Sequence, residues 1–191
     1  EIFSGSFNEN NRFNPSNPYS SSKAAAEMIV NGYIHSYKLP VILVRANNIF
    51  GTRQHPEKLI SGCCWSFIKN KKFTIHGKGL QKRTFLYVED LCRALEILVK
   101  VGKLYNAYNV GSPFEYRNID IVKIIANQNN KDLKKNTTFV EDRPFNDFRY
   151  SINYNKIKKL GWKPSIKVED KIEEINNWYK NNITRFKKRF E

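Results

Sequence analysis

No apolar run in this sequence of 191 residues approaches the roughly 18 to 20 needed to cross a bilayer. Its first residues also lack the basic stretch and apolar stretch of a signal peptide. The expectation is a soluble, unexported chain. Cysteine is scarce: there are three, an odd number, with Cys63 and Cys64 adjacent and no spaced His or Cys set of the kind that holds zinc. That points to reduced thiols in a cytoplasmic setting and to no metal site. Acidic side chains are few, 18 against 33 Lys and Arg, which leaves a formal charge of +15. Such an excess attracts polyanions in general. Here the basic residues are scattered, with short clusters at Lys69-Asn70-Lys71-Lys72, Lys134-Lys135, Lys158-Lys159 and Lys187-Lys188-Arg189. Charge runs of this kind are ordinarily a solvated face, so neither nucleic acid nor membrane is expected as a partner. Internal repeats are absent too.

What is present is enough apolar material for a core, 40% hydrophobic and 14% aromatic, in a length of one domain or slightly more. The stretch from Phe7 to Ser22 is rich in Asn, Pro and Ser and reads as a loop. Hydroxyl caps at Ser20 to Ser22 then start a helix in which Ala24, Ala25, Met28, Ile29, Tyr33 and Ile34 recur at helical spacing to about Tyr37. Pro40 to Arg45 is a continuous aliphatic run, as in a strand buried on both faces, and Asn47 to Gly51 reads as the loop at its end. A helix from Pro56 to about Asn70 follows, then a strand at Phe73 to His76 with a turn at Gly77-Lys78-Gly79. Further strands are expected at Thr84 to Val88, Tyr105 to Val110 and Thr137 to Val140. Helices are expected after Val88, after Ile119, at Ile157 to Leu160 and from Val168 to Asn181. Alternating helices and strands indicate an α/β fold.

Tyr19 and Lys23 stand four apart, so a helix carries both on one face. An ammonium beside a phenol stabilises the phenolate and prepares the tyrosine to take a proton. The spacing alone is common. Its surroundings are more specific: Asn17-Pro18-Tyr19-Ser20-Ser21-Ser22-Lys23-Ala24-Ala25-Ala26-Glu27 resembles the catalytic helix of the extended short-chain dehydrogenases. Asn47-Asn48-Ile49-Phe50-Gly51, Pro56-Glu57-Lys58-Leu59-Ile60, Ile75-His76-Gly77-Lys78-Gly79, Arg83 and Tyr87-Val88-Glu89-Asp90 follow in the order seen in nucleotide-sugar 4,6-dehydratases. So do Tyr108-Asn109-Val110-Gly111, Asn118-Ile119-Asp120, the segment Asp142 to Tyr150 and Leu160-Gly161-Trp162-Lys163-Pro164.

That resemblance implies the carboxyl-terminal part of a Rossmann-type extended short-chain dehydrogenase with a smaller α/β substrate-binding domain. Residues 1–50 would end the NAD-binding domain, and 51–191 would form mainly the substrate domain, with about 82–100 returning to the first. It further implies NAD as cofactor, a nucleoside-diphosphate glucose as substrate, and a homodimer. Tyr19 would take the proton from the sugar 4-hydroxyl, and Lys23 would assist it and hold the cofactor beside the backbone of Ile49. Glu1, in a segment similar to the Glu-Val-Tyr of these enzymes, would be the base at C5; the alternative is an acidic residue of no consequence. Asn48, Lys58, Leu59, Thr74, Ile75, His76, Arg83, Asn118, Arg143 and Asn146 would hold the diphosphate and base. For His76, the weaker member of this set, a partly buried strand histidine is nearly as good a reading. Arg143-Pro144-Phe145-Asn146-Asp147 is similar to the eukaryotic-type UDP-glucose enzymes that start rhamnose synthesis, whereas bacterial dTDP-glucose enzymes usually carry Gly-His in place of Phe-Asn; the resemblance favours UDP-glucose and leaves dTDP-glucose as the alternative.

The Gly-x-x-Gly-x-x-Gly loop of dinucleotide sites does not occur in the sequence, and the resemblance places it in about 130 further residues at the amino end. On that expectation Val41 to Val44 and Phe85 to Val88 lie near an unpaired sheet edge, and the isolated chain binds NAD poorly and aggregates. A sister epimerase or decarboxylase would keep Tyr19 and Lys23 without needing Glu1, and a basic nucleic-acid module remains the reading outside enzymes.

Overall fold

The computed structural model describes residues 4–145 and 147–186. The first element is helix α1 (Pro18–Tyr37), which starts earlier than the hydroxyls at Ser20 to Ser22 suggest. Its cap is Asn17: the side-chain oxygen accepts from Ser20 N at 2.9 Å, and Ser20 Oγ accepts from Asn17 N at 3.2 Å. This reciprocal box satisfies two exposed donors of the helix start, and Pro18 occupies the first turn, where its missing N–H costs nothing. Ala24, Glu27, Val30, Asn31 and Ile34 form its half-buried stripe, whereas Met28, Ile29 and Tyr33 of the expected apolar face are exposed.

Strands β1 (Leu43–Ala46) and β2 (Asn48–Phe50) follow, then α2 (Leu59–Ile68), β3 (Phe73–His76), β4 (Lys82–Tyr87) and α3 (Val88–Val101). Next come β5 (Ala107–Val110), β6 (Glu115–Arg117), α4 (Asn118–Gln128), a single turn α5 (Leu133–Asn136) and β7 (Thr137–Val140). The two-residue β8 (Arg149–Tyr150), α6 (Asn155–Lys158), α7 (Ile172–Asn181) and a 3-10 turn at Ile183–Phe186 complete the described chain. The segment expected to be a loop at Asn47 to Gly51 is thus partly a strand. Its pairing explains this: β2 lies parallel to β4 with Asn48 opposite Phe85 and Phe50 opposite Tyr87, so long-range hydrogen bonds override the weak strand preference of asparagine.

The sheets are mainly parallel. β1 pairs with β5, β3 with β7, and β4 is flanked by β2 and, through its first residues, by antiparallel β6 and parallel β8. Phe85 to Tyr87 are 4%, 0% and 1% exposed, so the expectation of an edge at Phe85 to Val88 is corrected: β4 is a central strand. β1, by contrast, has β5 on one side and is half-buried along its length.

Alternation along β4 divides the interior. Phe85 and Tyr87 face a larger core with Phe50 and with apolar residues of α2, α4 and α7, including Trp65, Ile121, Ile125, Ile175 and Tyr179. Leu86 faces a smaller core with Ala94, Leu98, Tyr108, Val110, Ile157 and Trp162. A strand buried on both faces must read as continuously apolar, as Thr84 to Val88 does. Each such side chain withdrawn from water contributes about 1.5–3 kcal/mol. Cys63 and Cys64 are spent in this core, where burial pushes the Cys64 thiol up to about 12 and keeps it protonated.

Candidate functional site

A cavity of about 300 Å³ opens where β2, β3 and β4 meet the amino-terminal ends of α2 and α4. Asn48 enters from β2, Thr74, Ile75 and His76 from β3, and Arg83 from β4. Lys58 and Leu59 stand at the start of α2, Asn118 is the first residue of α4, and Arg143 closes the wall from the segment after β7. Every residue that the sequence assigned to nucleotide binding and that the structure describes therefore lies on this one wall. Asn146 and Glu1 lie outside the described residues.

Local geometry accounts for the arrangement. In β2, side chains alternate, so Asn48 faces the cavity on one side of Ile49 and Phe50 anchors the strand in the core at 1% exposure. Ile49 belongs to the opposite face and is absent from the wall; its carbonyl accepts from Gln54 Nε2 at 2.7 Å. The turn after β3 needs two glycines with positive φ, Gly77 at 57° and Gly79 at 66°, which return the chain toward β4. His76 ends strand β3, as the strand reading has it, but is exposed and not partly buried.

Four wall residues escaped the sequence reading: Glu57, Phe73, Phe85 and Val122. Spacing could have found two of them, since Phe85 is two strand positions from Arg83 and Val122 one helical turn from Asn118. Glu57 pairs with Lys58 at 3.1 Å, and the hydrogen bond from Lys58 holds its carboxyl below the ordinary carboxylate value. The wall is otherwise cationic, with Lys58, Arg83 and Arg143. The N-cap positions of both helices, Lys58 and Arg117, make no side-chain cap hydrogen bond; at α4 the carbonyls of Gln81 and Gly79 take the N–H groups of Asn118 and Ile119 at 3.0 and 2.9 Å, which leaves the start of α2, where Lys58 and Leu59 line the hollow, as the helix end that brings positive partial charge to it. Guanidinium forks and the start of α2 converging on one hollow suit an anion with several oxygens, and Phe73 and Phe85 offer an apolar surface beside it.

Tyr19 and Lys23 are not on this wall. They sit one turn apart at the start of α1, both exposed, Tyr19 at 75%. The candidate residues thus fall in two places, a cavity with a cationic wall and a separate helix start bearing a phenol and an ammonium.

An α/β chain with parallel strands and this order of elements has the architecture of the Rossmann-type extended short-chain dehydrogenases. A solved dTDP-glucose 4,6-dehydratase from Streptomyces venezuelae with NAD bound superposes with a TM-score of 0.91 at 29% identity, covering 96% of this chain and 57% of that one. Residues 3–175 match the model of the family described as GDP-mannose 4,6 dehydratase, and the chain belongs to that family. Among curated proteins, dTDP-D-glucose 4,6-dehydratase of Dictyostelium discoideum is 43% identical over 93% of this chain and 48% of its own length. The trifunctional UDP-glucose 4,6-dehydratase, 3,5-epimerase and reductase of Arabidopsis thaliana is also 43% identical, over 88% of this chain and 25% of its own. The chain therefore spans about half the length of the first of these relatives and a quarter of the second.

Proposed function

We propose that the whole protein carrying this chain is an NAD-dependent nucleotide-sugar 4,6-dehydratase that converts UDP-glucose to the 4-keto-6-deoxy sugar. The observation that carries this reading is the cavity in which Lys58, Arg83, Arg143 and the start of α2 converge, within a chain of the dehydratase family. Arg83 and Arg143 are suited to the diphosphate, because each guanidinium presents paired donors to phosphate oxygens. Asn48 and Asn118 add neutral donors, and Lys58 can leave the exposed Glu57 for a phosphate oxygen at little cost. Phe73 and Phe85 are placed to pack on a base. The choice of UDP over dTDP rests on the likeness of Arg143 to Asp147 to the UDP-glucose enzymes.

The start of α1 fits the nicotinamide ribose of NAD, since an exposed phenol and ammonium one helical turn apart are the donors a sugar diol takes. When bound, that cofactor supplies the hydride acceptor for sugar oxidation at C4. Tyr19 would accept the proton of the 4-hydroxyl, with Lys23 favouring the phenolate. The resulting ketone acidifies the hydrogen on C5, which Glu1 would remove as the 6-hydroxyl, protonated by a carboxylic acid, leaves as water; return of the hydride to C6 and of a proton to C5 would then give the 4-keto-6-deoxy sugar. By this reading residues 1–50 close the cofactor domain, 51–191 form mainly the substrate domain, about 82–100 return to the first, and two copies assemble as a dimer in the cytoplasm.

Incubation of the full-length protein with UDP-glucose tests the reading. The expected product is UDP-4-keto-6-deoxyglucose with no net consumption of NAD. Formation of UDP-galactose would make the protein an epimerase, and turnover confined to dTDP-glucose would reverse the nucleotide assignment.

A further inference from the structure

Gln81 is 8% exposed, sits immediately before β4 and is not on the cavity wall. A carboxamide so buried costs stability unless it is bonded. Its Nε2 donates to Asp142 Oδ2, and Asp142 Oδ1 accepts from the backbone N–H of Arg143 at 2.8 Å. A carboxylate can only accept, so the amide nitrogen must be the end that faces it. Gln81 Oε1 has no hydrogen-bond partner among the described residues, so the bond to Asp142 is what orients this side chain. The backbone carbonyl of Gln81 accepts from Asn118 N at 3.0 Å, fixing the first residue of α4. Two residues on is Arg83.

The same carboxylate is also bounded by Gly77, where an added Cβ would stand 2.7 Å from Asp142 Oδ2. Gly77 N donates to Val140 O at 2.9 Å, holding the turn after His76 against the end of β7. One pair, a buried amide and an exposed carboxylate, thus joins the strand ends and helix start that carry His76, Arg83, Asn118 and Arg143, without itself lining the cavity. Its chemistry also matters. An acidic side chain one residue from Arg143 would repel an anion if it turned outward, and the Gln81 donor draws its carboxylate inward.

We propose that Gln81 and Asp142 are a positioning pair for the anion-gripping wall, setting Arg143 through Asp142 and Asn118 through the Gln81 carbonyl. This rests on the reading of the cavity as the nucleotide-sugar site. Reversal of the polarity of the pair tests it. Q81E in the full-length protein sets a buried carboxylate against the exposed one of Asp142 and should raise KM for UDP-glucose by about tenfold, the worth of one charge-assisted hydrogen bond, with kcat within about twofold. D142N should stay near the parent, because an amide oxygen still accepts from Gln81. Q81E combined with D142N restores a donor and an acceptor in exchanged positions and should bring KM back to within about threefold. If Q81E does not fold, Q81M, which keeps the shape and loses the donor, carries the same expectation. An unchanged KM in Q81E or Q81M, or a double variant that melts like the parent yet keeps the raised KM, would overturn the proposal. Should the parent protein not turn over UDP-glucose at all, the functional reading is what fails. Calorimetry with inorganic pyrophosphate, which needs only the cationic wall, then reads the same cycle: loss in Q81E and recovery in the double variant support the pair, and equal affinity in all three sinks it.

Discussion

Asp90 holds Ser165: the carboxylate, 0% exposed in the first turn of α3, accepts the backbone N–H of Ser165 at 3.2 Å and that of Ile166 at 3.1 Å. Arg93, one turn along, pairs with the same carboxylate, and the indole of Trp162 donates to the Asp90 carbonyl at 2.9 Å. A carboxylate near a helix start is favoured by the helix dipole, and here it also ends the chain segment that seats Trp162 in the smaller core.

Removal of that carboxylate leaves two main-chain donors without their partner, at a cost of about 1–3 kcal/mol each. Asp90→Ala should therefore lower stability by about 3 kcal/mol, and Asp90→Asn by less, since one oxygen still accepts. Urea unfolding at neutral pH measures both. An Ala variant within about 0.5 kcal/mol of the parent, the range of ordinary surface changes, would show that the segment holds without Asp90.

The general-base reading makes a separate demand. Tyr19→Phe removes one hydroxyl from an exposed position, so folding and UDP-glucose binding should survive. Turnover should fall by about 100-fold or more, the usual contribution of a general base. Equal turnover in a protein whose binding is intact would move the base to another residue.

How much of this was legible in the sequence depended on the range of the interactions. The cavity wall was readable because each of its residues sits in a short motif whose order along the chain resembles a family, and β3 and β4 bring those motifs to one place. The cap at Asn17 was missed because Ser20 offered a hydroxyl of its own, and only the reciprocal bonds show which residue is outside the helix. β2, β6 and β8 are two or three residues long and exist through pairing with β4, which no local preference records. The edge expected at Phe85 to Val88 failed for the same reason: Phe85 to Tyr87 pair with Asn48 to Phe50 of β2, and β4 lies between β2 and β6 in the sheet. Asp90 and Gln81 could not be singled out, because their importance lies in partners 75 and 61 residues away.

An acid-sensitive contact joins α7 to the core. Glu174 accepts from Tyr87 OH at 3.0 Å and from Lys171 Nζ at 2.7 Å. The hydrogen bond from Lys171 holds its carboxyl below the ordinary value, so the charged form is the one the fold favours. A depressed carboxyl contributes stability that is present above its unfolded value of about 4.3 and is lost as pH falls through the folded one. Burial, reinforced by Glu174, pushes Tyr87 up to about 12, so its contribution is complete below about 10 and is lost only as pH rises through the folded value. Glu174→Gln should be less stable than the parent at neutral pH, and the gap should close below about pH 4. Urea midpoints from pH 7 to 3 measure it; a gap constant across that range would assign the effect to packing and not to charge.

Helix α1 carries the last prediction. Met28, Ile29, Tyr33 and Tyr37 are 51%, 62%, 53% and 75% exposed, on a helix in which no residue is fully buried. Tyr33 and Tyr37 stack at 5.5 Å between ring centroids, so the outward face is a continuous apolar surface and not a set of isolated side chains. Such a face on a helix whose other side meets the fold through Ala24, Val30 and Ile34 is a surface that association would cover. If the dimer forms there, Ile29→Asp with Tyr33→Asp places two charges in an apolar contact and should halve the solution mass of the full-length protein, read by light scattering. Because both positions are exposed in the single chain, its urea midpoint measured in the monomer should stay within about 0.5 kcal/mol of expectation for surface changes. A double variant that keeps the parent mass would remove α1 from the interface, and a parent that is already monomeric would remove the dimer.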